Sequence, residues 1–123
     1  MQLSLYPSPA QLQALVADGA ETPVVMLNLL RFKPGGEPAY RRYADAMRAI
    51  IERHGGRIVW TGRITAQVIG AGAEGLEVAA LVEYPSRKAF VAIATSPEVA
   101  VIGRDRAEGL EGQWLLATTT EPM

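Results

Sequence analysis

The chain has 123 residues, enough for one domain and too few for two. Hydrophobic residues make up 49% and charged residues 20%, the balance of a soluble globular protein rather than of a disordered or collagen-like chain. Twelve Lys and Arg against thirteen Asp and Glu give a net charge of -1, so we expect no nucleic-acid partner, because such proteins usually carry a basic excess. Without cysteine and with one His, the chain cannot form disulfides, zinc-thiolate sites, iron–sulfur clusters or a multi-histidine metal site.

A short helix is predicted at residues 8–18, where Ser8 can cap the N-terminus, a proline follows it and leucines recur at helical spacing. The first strand is predicted at residues 24–32, a nearly continuous apolar run that a single Asn interrupts. The helix is therefore an N-terminal extension to a core at residues 23–120, and the whole chain, residues 1–123, is one domain.

The longest helix is predicted at residues 38–54, because apolar side chains recur there every three or four positions and two glycines follow. A long strand with alternating side chains is predicted at residues 58–69, and another at residues 76–84 after a glycine-rich hairpin loop. That loop loosely matches the GxGxxG pattern. Because it lies between two strands and not before a helix, it does not predict a phosphate site.

Two shorter helices and a last strand complete the pattern. Ser86 is the predicted cap of the first helix and Ser96 that of the second, which runs to about residue 106 or 107. The last strand is predicted at residues 113–119. After the N-terminal helix the order is βαββαβ, which predicts an α+β, ferredoxin-like fold: a four-stranded antiparallel sheet with its helices on one face.

The strand sequences predict that both faces of this sheet are covered. A sheet with one face in water alternates apolar and polar residues, whereas VVMLNLL, EVAALV and WLLA are apolar at successive positions. Helices can cover one face, and we expect a second copy of the chain to cover the other, in a homodimer whose sheets pack face to face. The alternative is a monomer in which small alanines only make the third strand resemble a buried one.

The start of the chain, MQLSLYPSPAQ, lacks the basic segment and the apolar run of a signal peptide. No stretch approaches the roughly 18 apolar residues that a membrane-spanning helix needs. We therefore expect a cytoplasmic location and no membrane partner.

Asn28 and His54 are the first candidates for chemistry. Asn28 interrupts an apolar strand, and since a buried amide needs hydrogen-bond partners, it either faces a ligand or clamps a neighbouring loop backbone. His54 has the one side chain whose ordinary pKa lies near neutrality, which suits proton transfer, although a cation at the end of a helix also interacts favourably with the helix dipole. The candidate catalytic residues are Asn28, His54 and Tyr43.

Tyr40 and Tyr43 lie on the helix face that should meet the sheet, where core packing is the ordinary role of tyrosine. Two hydroxyls near Asn28 would instead form a polar pocket within an apolar shell, which is typical of a small-molecule site.

The strand arginines Arg31 and Arg63 have two interpretations. They either pair with Glu83, which we favour because carboxylates are near, or bind an anionic ligand. The tryptophans suit core or interface packing as well as ligand contact. The candidate ligand-binding residues are Asn28, Arg31, Tyr40, Tyr43, Trp60 and Tyr84.

Five segments carry a family resemblance: VVMLNLLRFK, AYRRY, HGGRIVWTGR, VEYPSRKAF and TSPEV. Over roughly residues 23–120 the chain resembles the domain of unknown function 1330 family of the dimeric α/β-barrel superfamily. The resemblance rests on the strand Asn followed by Arg and Phe, on the Gly-Gly after the long helix, and on the aromatic-Pro-Ser and Ser-Pro-Glu turns. It implies a ferredoxin-like chain that dimerises through its sheets.

The resemblance also implies a pocket between the sheet and the helices of each subunit. The superfamily includes cofactor-free quinol monooxygenases, haem-degrading monooxygenases, lactone isomerases and sensory ligand-binding domains, whereas this family is itself uncharacterised. Haem-degrading members use an Asn, a Trp and a His. Asn28 has a comparable first-strand position, but His54 ends the first long helix and Trp60 lies on the second strand, so those roles do not transfer.

We therefore expect a small dimeric protein with an internal pocket and with no cofactor or metal. Our first hypothesis is a cofactor-independent enzyme of monooxygenase or isomerase type acting on a small organic molecule, because such chemistry needs little beyond a dry cavity and a few positioned polar groups. The alternative is a non-catalytic small-molecule-binding or interaction domain. A Tyr hydroxyl or His54 lining a cavity beside Asn28 would favour catalysis.

Overall fold

The computed structural model describes residues 2–123, and in that range it contains four helices and one four-stranded sheet. The strand order is β2-β3-β1-β4, and every neighbouring pair is antiparallel. The predicted ferredoxin-like fold and its N-terminal helix are therefore confirmed. In chain order the elements are α1 (Pro9–Ala17), β1 (Val24–Phe32), α2 (Glu37–Arg53), β2 (Arg57–Arg63), β3 (Val78–Tyr84), α3 (Arg87–Ala94), α4 (Pro97–Gly109) and β4 (Leu110–Thr118).

Serine side chains start three of the helices. The hydroxyls of Ser8, Ser86 and Ser96 each accept a hydrogen bond from the backbone N–H three residues ahead, at 3.1, 3.0 and 3.2 Å. Such a bond satisfies a backbone donor that the helix itself leaves free. These helices therefore begin where the sequence predicts. The helix after Ser96 is longer than predicted: it reaches Gly109, and β4 follows at once at Leu110 instead of at residue 113.

The second and third strands are shorter than predicted. β2 ends at Arg63 rather than at residue 69, and β3 begins at Val78 rather than at residue 76. Arg63 and Val78 are the last pair in register. Beyond them the Ile64 N–H donates to the carbonyl of Glu77, and the Glu77 N–H donates to the carbonyl of Leu30, but no regular strand pairing continues. Three glycines with positive φ turn this connection away from the sheet, and Val68 and Ile69 are 87% and 91% exposed.

The two faces of the sheet differ in what covers them. Asn28 shares the helix-covered face of β1 with Met26 and Leu30, which are both 2% exposed. Two core clusters occupy this face, and Asn28 lies between them, because Met26 belongs to one and Leu30 to the other. The larger cluster comprises Val24, Met26, Ile50, Ile51, Val82, Tyr84, Phe90 and Ile93, and the smaller one comprises Leu30, Phe32 and Leu110.

The other face, here called the open face, has no helix on it; it is apolar at its centre and carries the ion pairs Arg31–Glu111 and Arg57–Glu83 towards its ends. In β1 it presents Leu27, which lies opposite Leu81 on β3 and Leu116 on β4. Trp60 and Leu116 are 53% and 48% exposed on this face. Within residues 2–123, none of the helices combines the length and apolarity needed to cross a bilayer.

Candidate ligand-binding cleft

A cleft of about 1520 Å³ lies between the helix-covered face of the sheet and helices α2 and α4. On the sheet side, Asn28 and Ala80 line it and lie directly opposite each other in register. On the helix side it is lined by small residues, among them Ala44 on α2 and Gly103 on α4. Protein interiors are normally close-packed, and short side chains on both layers leave the space between them unfilled.

The N-terminal segment, residues 2–7, lies along one side of the cleft. Ser4 and Gln113 exchange backbone hydrogen bonds of 3.3 and 3.0 Å, and the indole Nε1 of Trp114 donates to the carbonyl of Gln2 at 2.8 Å. The ring of Tyr6 lies beneath the guanidinium of Arg106, 5.5 Å from ring centre to Cζ. The N-terminal segment therefore covers the edge of β4 and the last turn of α4.

Three tyrosines line the cleft as neutral hydroxyl groups. Burial raises the pKa of Tyr40, Tyr43 and Tyr84, and the charge of Arg106 lowers it by a smaller amount at Tyr40 and Tyr43. The rings of Tyr40 and Tyr43 are 5.4 Å apart. Within residues 2–123 none of the three hydroxyls has a hydrogen-bond partner, so each can donate to a ligand.

Three polar side chains cross the cleft as a hydrogen-bonded row, here called the polar row. Arg106 Nη2 donates to Gln113 Oε1 at 3.0 Å, and Gln113 Nε2 donates to Asn28 Oδ1 at 3.4 Å. A guanidinium can only donate, so Gln113 must turn its oxygen towards Arg106 and its nitrogen towards Asn28. Asn28 Nδ2 then makes a long contact of 3.4 Å with the carbonyl of Met26.

Glu37 is one of the two acidic residues that line the cleft, and two arginines offset its charge. Glu37 Oε2 lies 2.6 Å from Arg63 Nη2 and 2.7 Å from Arg41 Nη2. These hydrogen bonds, with Arg63 the stronger influence, hold the pKa of Glu37 below its usual value. No three His, Cys, Asp or Glu side chains come together as a metal site in the part of the chain that the structure describes.

Four of the predicted site residues meet in this cleft: Asn28, Tyr40, Tyr43 and Tyr84. The remaining three do not line it. Arg31 lies on the open face and pairs with Glu111 at 3.3 Å, and Trp60 lies on the same face. His54 is exposed at the end of α2, where its backbone N–H donates to the carbonyls of Ile50 and Ile51.

The pairing of Glu83 with Arg31 or Arg63 is wrong. Glu83 lies opposite Arg57 in register, and their side chains form the ion pair at 3.2 Å. Arg63 lies at the far end of β2 and reaches Glu37 on α2 instead. The sequence supplied the right residue types but not the strand register that selects the partner.

Sequence reasoning missed Arg106 and Gln113. One signal in the sequence was available. Gln113 is a polar residue at the start of an apolar strand, just as Asn28 is a polar residue in the middle of another. Their meeting depends on the register of β1 against β4, in which Gln113 lies opposite Leu30, one step along the same face from Asn28. Arg106 lies in the last turn of α4 and reaches Gln113 because β4 begins directly after this helix.

A family model described as "Domain of unknown function (DUF1330)" matches residues 29–120, which is most of the chain. The chain belongs to this family. A search of curated proteins gives no match. The family assignment agrees with the resemblance seen in the sequence, and like that resemblance it names no activity.

Solved structures share the fold. The protein of unknown function RPA0582 from Rhodopseudomonas palustris has a TM-score of 0.87 and 27% identity, covering 99% of this chain and 100% of its own. A putative antibiotic biosynthesis monooxygenase from Bacteriodes thetaiotaomicron has a TM-score of 0.58 and 16% identity, covering 83% and 92%. A dimeric ferredoxin-like protein of unknown function from Jannaschia sp. CCS1 has a TM-score of 0.60 and 13% identity, covering 80% and 99%.

Proposed function

We propose that the cleft binds a small organic molecule that has an apolar body and at least one hydrogen-bond acceptor oxygen. The observation that carries this proposal is the group of tyrosine hydroxyls that face the cleft without a partner among residues 2–123. In residues 2–123 the one fully buried side-chain polar atom without a partner is Arg87 Nε, so the tyrosine hydroxyls stay open to the cleft and a ligand oxygen can accept hydrogen bonds from them. The aliphatic side chains of Leu30, Met47 and Val82 supply an apolar wall beside them.

Filling the cleft tests this proposal. Ala80→Phe places a ring opposite Asn28, and Ala92→Phe makes the same change on an exposed position of α3 outside the cleft. We expect saturation-transfer NMR with a panel of small phenols, ketones, lactones and aromatic acids to give hits for the wild type and for Ala92→Phe. Ala80→Phe should bind the same compounds about tenfold or more weakly, as expected when a side chain occupies the pocket. Equal hits for all three proteins, or none for the wild type, would contradict the proposal.

A second candidate function is catalysis in the same cleft, as a cofactor-independent isomerase- or monooxygenase-type enzyme. The observation that favours it is the hydroxyl of Tyr43, which burial keeps protonated while Arg106 supplies positive charge nearby. Such a pair stabilises negative charge that develops on a substrate oxygen, as in an enolate or phenolate.

The Tyr43→Phe variant tests this second function, because it removes the hydroxyl and keeps the ring. We expect the wild type to catalyse deuterium exchange next to the carbonyl of a bound ketone or lactone, or oxygen uptake with a bound phenol. Tyr43→Phe should lower either rate by about tenfold or more while binding persists. Binding without any exchange or oxygen uptake would leave the cleft as a binding site only.

We also propose that a second copy of this chain covers the open face, so that the two sheets pack against each other. Two observations support this proposal. Leu27, Leu81 and Leu116 lie side by side across three strands on that face, and Trp60 and Leu116 are exposed there. Exposed apolar surface of this extent, with a polar rim, is typical of an interface. The cleft lies on the other side of the sheet and would stay open in each subunit.

A further inference from the structure

We propose that Arg106 binds a carboxylate group of the ligand, at the side of the cleft next to the N-terminal segment. This inference deepens the proposed function and rests on it. It names the chemical class of the ligand: a small monocarboxylic acid whose apolar part extends along the sheet and α2.

The first argument is the unused hydrogen-bonding capacity of Arg106. A guanidinium has five N–H donors in a planar fork that matches a carboxylate, and Arg106 uses one of them on Gln113. Within residues 2–123 no carboxylate lies within ion-pairing distance of Arg106. Its side chain is half-buried and lines the cleft, so an anion there would find a charge that the protein itself does not neutralise.

The second argument is the polarity of the surrounding groups. Arg106 binds the side-chain oxygen of Gln113, so Gln113 donates its nitrogen to Asn28 Oδ1. The Nδ2 donor of Asn28 therefore points away from Gln113, at the end of the polar row. The hydroxyls of Tyr40 and Tyr43 are protonated and free to donate. The floor of the cleft therefore offers donors to a ligand, which is the complement of a carboxylate and not of an amine.

The third argument is the charge of the cleft as a whole. Two acidic residues line it, Glu37 and Asp45, against six arginines, although the complete chain has a net charge of -1. A concave surface with an excess of one sign of charge raises the local concentration of ligands with the opposite sign. The six arginines are Arg41, Arg48, Arg63, Arg87, Arg104 and Arg106.

The experiment compares carboxylic acids with their primary amides, which have similar shape and no charge. The panel runs from benzoate and cinnamate to straight-chain acids of up to ten carbons, with dissociation constants measured by calorimetry. We expect at least one acid to bind about ten- to a hundredfold tighter than its amide, the range of a charge-assisted hydrogen-bonded pair. The Nε–H signal of Arg106 in NMR should shift on addition of that acid.

Two variants separate recognition from general charge. Arg106→Gln should reduce binding of the acid to the level of the amide and leave binding of the amide unchanged. Arg57→Gln removes the same charge from an exposed position on β2 that does not line the cleft, and we expect it to change affinity by less than about twofold at physiological salt. Melting curves check that both variants remain folded, and Arg106→Lys, which keeps charge without the fork, should retain part of the preference.

Two results would overturn the inference, and they differ in what else they overturn. If acids and amides bind equally well to the wild type and to Arg106→Gln, while Ala80→Phe abolishes both, the carboxylate site is wrong and the cleft remains a binding site. If Ala80→Phe leaves the binding of acids and amides unchanged, the ligand is not in the cleft and both proposals are wrong.

Discussion

The amide of Asn28 is held loosely for a side chain in the middle of a sheet. Its two contacts, to Gln113 and to the carbonyl of Met26, are both 3.4 Å long, whereas strong N–H···O bonds are about 2.9–3.0 Å. Neither partner is a loop backbone, which was the structural alternative considered for this residue. Asn28 therefore contributes less to stability than its position in an apolar strand suggests.

We expect Asn28→Leu to lower the free energy of unfolding by about 1 kcal/mol or less, because long hydrogen bonds contribute little and the cleft lets water reach the Nε2 group of Gln113. Ligand affinity should fall by about tenfold, because a donor on the cleft floor is lost. Thermal melts and the calorimetric panel measure the two effects. A loss of more than about 3 kcal/mol with unchanged affinity would identify Asn28 as a structural clamp.

The sequence identified those residues of the cleft whose position follows from the pattern of their own helix or strand. The apolar strand around Asn28 and the helical spacing of Tyr40 and Tyr43 made a shared pocket one of two interpretations, and in the structure all three line the cleft. The sequence could not place Arg31 and Trp60, because which face of a strand meets the helices depends on packing between elements. A bulge between Ile58 and Trp60 further alters the alternation of β2.

At the scale of elements, two glycines set the distance between α2 and α4. A Cβ atom on Gly109 would collide with the carbonyl oxygen of Gly36 and lie 2.6 Å from the backbone nitrogen of Tyr40. The end of α4 therefore touches the start of α2 backbone to backbone. This contact holds the turn that bears Arg106 next to Tyr40.

We expect Gly109→Ala to lower the free energy of unfolding by about 1–3 kcal/mol, because an added methyl group at a backbone contact forces the helices apart. Gly103→Ala is the matched control on the same helix, since a Cβ there meets no atom within 4 Å. It should be neutral or stabilising by up to about 1 kcal/mol, as alanine is favoured over glycine within helices. Chemical denaturation measures both, and equal effects of the two substitutions would contradict the close contact.

Element starts were predictable and element ends were less so, for a physical reason. A serine cap acts within one turn, so Ser8, Ser86 and Ser96 marked their helices without knowledge of the fold. A strand ends where its partner ends, which is why the alternating pattern after Arg63 did not predict the loop at residues 64–77. The volume of the cleft was not predictable either, because it depends on which small residues of the sheet and the helices face each other.

The homodimer proposed above depends on the open face of the sheet. Leu27, Leu81 and Leu116 form a row across three strands, and no helix lies over them. An obligate interface of this kind buries roughly 2,000 Å² or more in total. We therefore expect the wild type to have about twice the mass of one chain in light scattering at micromolar concentration.

Adjacent residues of β4 provide a matched pair of variants for this interface. Leu116→Glu puts a charge on the open face, whereas Leu115→Glu puts the same charge on the cleft side, because successive residues of a strand point to opposite faces. We expect Leu116→Glu to give the mass of a monomer, since an unpaired charge in an apolar interface is strongly unfavourable. Leu115→Glu should remain a dimer. A dimer for Leu116→Glu, or a monomer for the wild type, would contradict pairing through the sheets.

The backbone pairing of Ser4 with Gln113 has a practical consequence for handling this protein. Gln113 orients Arg106, so a change near the start of the chain reaches the cleft through two hydrogen bonds. An affinity tag fused ahead of residue 2, or trimming of residues 2–7, would disturb the cleft. The exposed residues 119–123 follow β4 and belong to no helix or strand, which makes the C-terminus the better position for a purification handle.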